Sequence, residues 1–158
     1  MKKNIYLVAI LFLFLGFVSC GTSKQVVDSR PVKEKIESKR YTFAADYAIP
    51  TGGFQPRHLT PGYDLKVTPD TITAYLPYFG RAYEAPFDPS EGGIKFTSTK
   101  FDYRMTPGKK AGNWLVNIRI LDQRWEIFLT LDVWENGKGD LDVRDQSKQS
   151  ILFRGELE

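Results

Sequence analysis

From Arg40 onward, large apolar residues recur at every second position, and this period limits the fold more than any other feature. In "EIFLTLDVW", Ile127, Leu129, Leu131 and Val133 share one face, and Glu126, Phe128, Thr130, Asp132 and Trp134 share the other. In "WLVNIRIL", Trp114, Val116, Ile118 and Ile120 form a face in the same way. Tyr41 and Phe43, then Ile72, Ala74 and Leu76, then Ile151, Phe153 and Leu157 repeat the pattern, and residues 95–105 alternate through Thr97, Thr99, Phe101, Tyr103 and Met105. Successive side chains of a strand point to opposite faces, so this pattern predicts strands with one face in a core. A helix would group its apolar residues every three to four positions instead.

The breaks between these runs carry turn chemistry. "TPGKKAGN" and "ENGKGD" join successive strands, and Asn136-Gly137 supplies the positive φ that a tight hairpin needs. "TPD" at 68–70, "DPSEGG" at 88–93 and "DQSKQ" at 145–149 separate the others. These signals predict an all-β domain, an antiparallel meander of about eight strands. Such a sheet has edges to protect, and closure into a small or flattened barrel removes them.

The N-terminus follows different rules. Lys2 and Lys3 precede an uncharged apolar run from Ile5 to Val18, and Ser19 stands before Cys20, the only cysteine. The run is too short for a spanning helix, which needs about 20 apolar residues, and its order is that of a secretory leader. A lone secreted Cys has no internal disulfide partner. Phe17, Val18, Ser19 and Cys20 resemble a bacterial lipoprotein signal, which implies acylation of Cys20 and a membrane partner reached through that lipid. Gly21 rather than Asp follows Cys20, and "GTSKQ" lacks an acidic run. By the same resemblance, both features imply a periplasm-facing anchor in the outer membrane. Residues 21–38 are polar, with Pro31 placed to open a short helix on which Val32 and Ile36 share a face. The chain thus divides into a leader over 1–19, a lipidated tether or short helix over 20–38, and one β domain over 39–158.

Loss of residues 1–19 removes Lys2 and Lys3 from the 22 basic residues, leaving 20 against 19 acidic. A charge this close to zero gives no field for nucleic acid, which needs a clustered basic face.

Four stretches then agree with one family: "GYDLKVTPDTITAYLPYFGRAYEAPF", "GGIKFTSTKFDY", "GNWLVNIRI" and "GDLDVRDQSKQSILFRGEL". Over residues 34–158 the chain resembles the Bacteroidota lipoprotein family catalogued as domain of unknown function 4251. "LPYFGRAY" (76–83) is the most specific element, and the pattern S-I-x-F-x-G from Ser150 to Gly155 supports it. Many members have an Asn-Arg pair where this chain has Lys148 and Gln149. The resemblance implies a compact β domain on a lipid anchor and brings no catalytic residues.

A search for chemistry finds little. His58, the sole histidine, lies between Pro56 and Pro61, and no G-x-S-x-G elbow accompanies it. H-E-x-x-H cannot form from one His, and no phosphate-binding G-x-x-x-x-G-K-[ST] occurs. In "DVWENGKGDLDVRD", Asp132, Asn136 and Gly137 match a calcium loop, but Trp134 and Val143 stand where oxygen ligands belong. Neither metal nor cofactor is expected. Asp140 and Asp142 read as the solvent face of a strand, and as a carboxylate pair they keep a hydrolase reading open. Tyr75, Tyr78, Phe79, Tyr83 and Phe87 crowd around Pro77, Gly80 and Arg81. Aromatic rings beside an Arg at a strand break suit a stacked ligand or a protein partner. These six side chains are the candidate binding surface of a non-enzymatic envelope lipoprotein. The alternatives are the hydrolase and a purely structural envelope protein.

Overall fold

A computed structural model describes residues 31–83 and 92–158. The leader, Cys20 and Phe87 lie outside the described residues. A short helix, α1 (Val32–Glu37), is followed by ten strands: β1 (Tyr41–Pro50), β2 (Arg57–His58), β3 (Asp64–Val67), β4 (Ile72–Leu76), β5 (Ile94–Ser98), β6 (Phe101–Pro107), β7 (Asn113–Ile120), β8 (Ile127–Trp134), β9 (Lys138–Asp145) and β10 (Ile151–Leu157). All pairings are antiparallel, in the spatial order β5-β4-β3-β1-β10-β9-β8-β7-β6, with β2 beside β1. The first and last strands are neighbours, paired from Phe43 with Leu157 to Pro50 with Ile151. The sheet is a nearly closed barrel with one unsealed seam. Two short strands, β2 and β3, account for most of the excess over about eight.

Cross-strand register explains the core. Ala48, Phe153, Leu141, Leu131, Val116 and Met105 lie opposite one another in sequence across six strands. Phe43, Leu65, Ala74 and Phe96 form a second row across four. Apart from the half-buried Met105, every member of these rows is buried. A buried Leu, Ile or Phe contributes about 1.5–3 kcal/mol relative to exposure, so closure rests on these rows. Gly155 permits one crossing: a Cβ there would lie 1.9 Å from the Ala44 carbonyl oxygen. This crossing adjoins the bulge in β1 between Ala45 and Tyr47.

The seam follows from topology. Strands β5 and β6 stand at opposite ends of an antiparallel order of nine, so they run in the same direction. Only Thr99 and Lys100 separate them, and no hairpin can join strands of like sense. Residues 94–107 therefore form one long strand bent at a corner, with β4 on one half and β7 on the other. The alternation expected through 95–105 breaks at this corner: Ile94, Phe96 and Ser98 are buried and Thr97 and Thr99 exposed, whereas Phe101, Tyr103 and Met105 turn inward. Asp122 holds the bend, its Oδ2 accepting the backbone N–H groups of Thr99 at 2.9 Å and Lys100 at 3.2 Å. Leu121 N–H donates to the Lys100 carbonyl at 2.9 Å, typical of a good backbone bond.

On the inward side of β6, α1 packs against the core. Ile36 is fully buried, Val32 packs against the core, and Tyr103 Oη donates to the Ile36 carbonyl at 2.9 Å. The packed unit therefore starts ahead of residue 39. Among the described residues, no helix is long and apolar enough to cross a membrane.

Candidate functional site

Strand β4 ends at Leu76, and the buried Pro77 starts a segment that lies along the turn between β9 and β10. Tyr83 N–H donates to the Ser147 carbonyl at 2.8 Å, and Gln149 N–H to the Arg81 carbonyl at 3.0 Å. Arg81 N–H in turn donates to Gln149 Oε1 at 3.2 Å. Tyr78 clamps the arrangement, its hydroxyl lying 2.8 Å from the Arg81 carbonyl oxygen and 3.0 Å from that of Gln149. Burial raises the Tyr78 pKa above its usual value, against the opposing effect of the Gln149 backbone bond. Gly80 leaves room for this clamp, because a Cβ there would come within 2.5 Å of the Tyr78 oxygen.

The candidate residues thus fall into two groups. Tyr78 is half-buried in the clamp, and Phe79 packs against the core with the Arg57 guanidinium 5.0 Å from its ring centre. Tyr75, Arg81 and Tyr83 are exposed, Tyr75 by 47% and Tyr83 by 64%. Tyr75 stacks on Tyr63 at 5.7 Å, with Lys95 Nζ 5.0 Å from its ring.

Beside Tyr75 runs a groove of about 530 Å³. One wall is the start of β5 with Gly93, the other is the β7–β8 hairpin loop with Trp125, and Asp145, Ser147 and Lys148 line it as well. Lys148 Nζ donates to the Gly93 carbonyl at 2.6 Å and lies 3.9 Å from Asp145 Oδ2. It also lies 5.6 Å from the Tyr78 ring centre. Asp145 Oδ1 accepts both the backbone N–H and the hydroxyl of Ser147 at 2.8 Å. Arg124 stands over the Trp125 ring at 5.5 Å. Four aromatic rings at this end therefore each carry a cation, an arrangement worth about 0.5–1 kcal/mol per pair at exposed sites. Among the described residues, the groove is lined by the cations Lys95, Arg124 and Lys148 and by the carboxylate of Asp145.

Sequence reasoning missed this groove. Its side chains come from positions 95, 124–125, 145, 147 and 148, which only the barrel brings together.

The other sequence candidates lie elsewhere. His58 is exposed on β2, edge-on to Tyr47 at 4.6 Å. Asp140 accepts from Arg154 Nε at 2.9 Å and Asp142 from Arg144 Nε at 2.7 Å, on the outer face of β9. Asp132, opposite Asp140 on β8, accepts from Asn113 Nδ2. Asp132, Asp140 and Asp142 are therefore engaged one by one.

A family model described as "Domain of unknown function (DUF4251)" matches residues 24–157. The comparison with curated proteins finds no match. The chain belongs to the DUF4251 family.

Proposed function

We propose that this chain is a non-enzymatic lipoprotein of the cell envelope. In this reading residues 1–19 are cleaved, Cys20 is acylated, and the lipid holds the barrel on the periplasmic face of the outer membrane. The barrel end carrying Tyr75, Arg81 and Tyr83 then presents a contact surface to a ligand or protein partner. One observation carries the binding half of the proposal: exposed rings and cations gather at a single end, beside a groove of ligand size. Interface energy concentrates in a few aromatic and Arg anchors. Alanine at both Tyr75 and Tyr83 should therefore abolish capture of a native envelope partner in pull-downs while the melting temperature holds. Unchanged capture would refute the surface. Cys20→Ala should move the protein from the membrane to the soluble fraction or block processing, and an unmodified soluble mature form in the native host would refute the anchor.

A purely structural role draws support from Tyr78 and Phe79, which serve packing and not contact.

A further inference from the structure

Strand β6 stands last in the sheet order and pairs only with β7. Two bonds show which of its backbone groups that pairing uses. Leu121 N–H donates to the Lys100 carbonyl at 2.9 Å, and Gly108 N–H donates to the Asn113 carbonyl at 2.8 Å. Residues that exchange such bonds alternate along an antiparallel ladder. Asp102, Arg104 and Thr106 therefore turn their backbone groups to β7, and Phe101, Tyr103 and Met105 turn theirs away from it. Among the described residues, nothing pairs with the backbone of these three. Across the seam, β5 meets the β7–β8 loop, where Gln123 Nε2 donates to the Thr97 carbonyl at 3.2 Å. A row of unpaired donors and acceptors on an edge strand is a template for another strand.

The side chains narrow which strand fits. Asp102 and Arg104 are exposed on the outer face of β6, and among the described residues neither makes an ion pair. The same Asp-x-Arg spacing on β9 behaves differently, with Arg144 Nε 2.7 Å from Asp142 Oδ2. Opposite Asp102 on β7 stands Arg119, which is bonded to Glu126, and opposite Arg104 stands Asn117. Antiparallel pairing with β6 of a second copy, centred on Tyr103, satisfies both the backbone and the charges. Tyr103 then faces Tyr103 and Phe101 faces Met105, for about six backbone hydrogen bonds between the chains. Asp102 falls opposite Arg104, and Arg104 opposite Asp102, at the closer positions with Cα atoms about 4.5 Å apart. The neighbouring registers fail. Centring on Asp102 sets Asp102 against Asp102, and centring on Arg104 sets Arg104 against Arg104, and like charges directly opposite destabilise a sheet. Pro107, which has no N–H, closes the row at one end. Asp122 fixes the corner at the other. The bond from Tyr103 Oη to the Ile36 carbonyl holds the middle of the edge, so little ordering is left for pairing to impose.

We propose that β6 is a homodimerisation edge, on which two copies of this chain join as an antiparallel pair about Tyr103, with Asp102 and Arg104 matched in both directions. Such an interface is isologous, the commonest form among soluble oligomers. It uses none of the side chains assigned to the contact surface at the other site. One strand edge makes a small interface, so the dimer is weak and reversible, and a covalent trap suits its detection.

Disulfide trapping reads the register. Two differently tagged copies of the full chain, both with Cys20→Ala, carry one new thiol each, Asp102→Cys in one and Arg104→Cys in the other. Mixed and mildly oxidised, they should cross-link at about fivefold or more the yield of either copy alone. Only the unlike pair comes directly opposite, within the Cα separation of about 7 Å that a disulfide spans. Copies with Thr130→Cys, outward on β8, set the background. Charge reversal then tests recognition without thiols. Asp102→Arg and Arg104→Asp should each weaken self-association of the full chain about tenfold, measured by sedimentation in detergent. An equal mixture of the two should regain it, because every opposed pair is again of unlike sign, and a variant that failed to fold would not recover in this way. A mixed cross-link no stronger than the Thr130→Cys background overturns the proposal. Self-linking of Asp102→Cys or Arg104→Cys at or above the mixed yield overturns the register. Association unchanged by both reversals overturns the charge match.

Discussion

Leu129 and Thr130 are adjacent on β8 yet occupy different media. Leu129 is 1% exposed among Ile118 and Val143, its register partners. Thr130 looks outward, its hydroxyl 3.3 Å from Asn117 Oδ1. Leu129→Asp should cost on the order of 4 kcal/mol or more, since a carboxylate there has no partner and leaves a void. Thr130→Asp should stay within about 1 kcal/mol. Chemical denaturation measures both, and equal losses would mean that β8 is buried on its two faces. Tyr78 and Tyr75 make a second contrast, one that the sequence hid. Both belong to one aromatic segment, but Tyr78 bridges two carbonyls while Tyr75 lies on the surface. Tyr78→Ala should cost about 1–3 kcal/mol through the lost hydroxyl and packing, and Tyr75→Ala should cost little. Nothing in "YLPYFGRAY" (75–83) separates the rings, because the groups that satisfy Tyr78 include Gln149, 71 residues away.

At the scale of elements, strands were legible wherever one face is buried and the other wet. The faces read from Ile127–Val133, Trp114–Ile120 and Ile72–Leu76 are the faces that pack. Strand β3 was hard to see because four residues place only Leu65 and Val67 inward. The corner at Thr99–Lys100 was invisible for a different reason. It contains neither Gly nor Pro, and the carboxylate that holds it lies more than twenty residues on. That dependence makes a pH prediction. Hydrogen bonds from the Ser98 hydroxyl and then the Thr99 backbone, with Gln123 and Lys100 adding to them, hold the Asp122 carboxyl down to about 2 from 3.8. A depressed carboxylate pKa adds stability that is present above the unfolded value and is lost as pH falls through the folded one. The melting temperature should therefore exceed that of Asp122→Asn at neutral pH. The gap should narrow from about pH 4 downward and close near pH 2. A gap independent of pH would show that the side-chain shape, and not its charge, holds the corner.

At the scale of the whole molecule, the barrel closes with help from outside the sheet. Helix α1 has six residues, too few to be stable alone, so its helicity depends on docking. What it docks with is the inward face of β6: Tyr103 donates to the Ile36 carbonyl, and its hydroxyl lies 3.4 Å from that of Tyr41. Burial raises the pKa of Tyr41 well above its usual value and, as the largest influence on Tyr103, pushes that group up to about 12. A phenol held neutral adds stability that is full below its unfolded pKa of 10.0 and is lost as pH rises through the folded value. Ile36→Ala should cost about 2–5 kcal/mol by the cavity it opens. If α1 shields Tyr41 and Tyr103, the same substitution should admit water to the two hydroxyls. The alkaline transition should then begin closer to pH 10, and ultraviolet titration should show Tyr103 ionising with the exposed tyrosines instead of near pH 12. A destabilised variant with an unmoved tyrosine titration would mean that Ile36 fills the core without shielding the tyrosine pair.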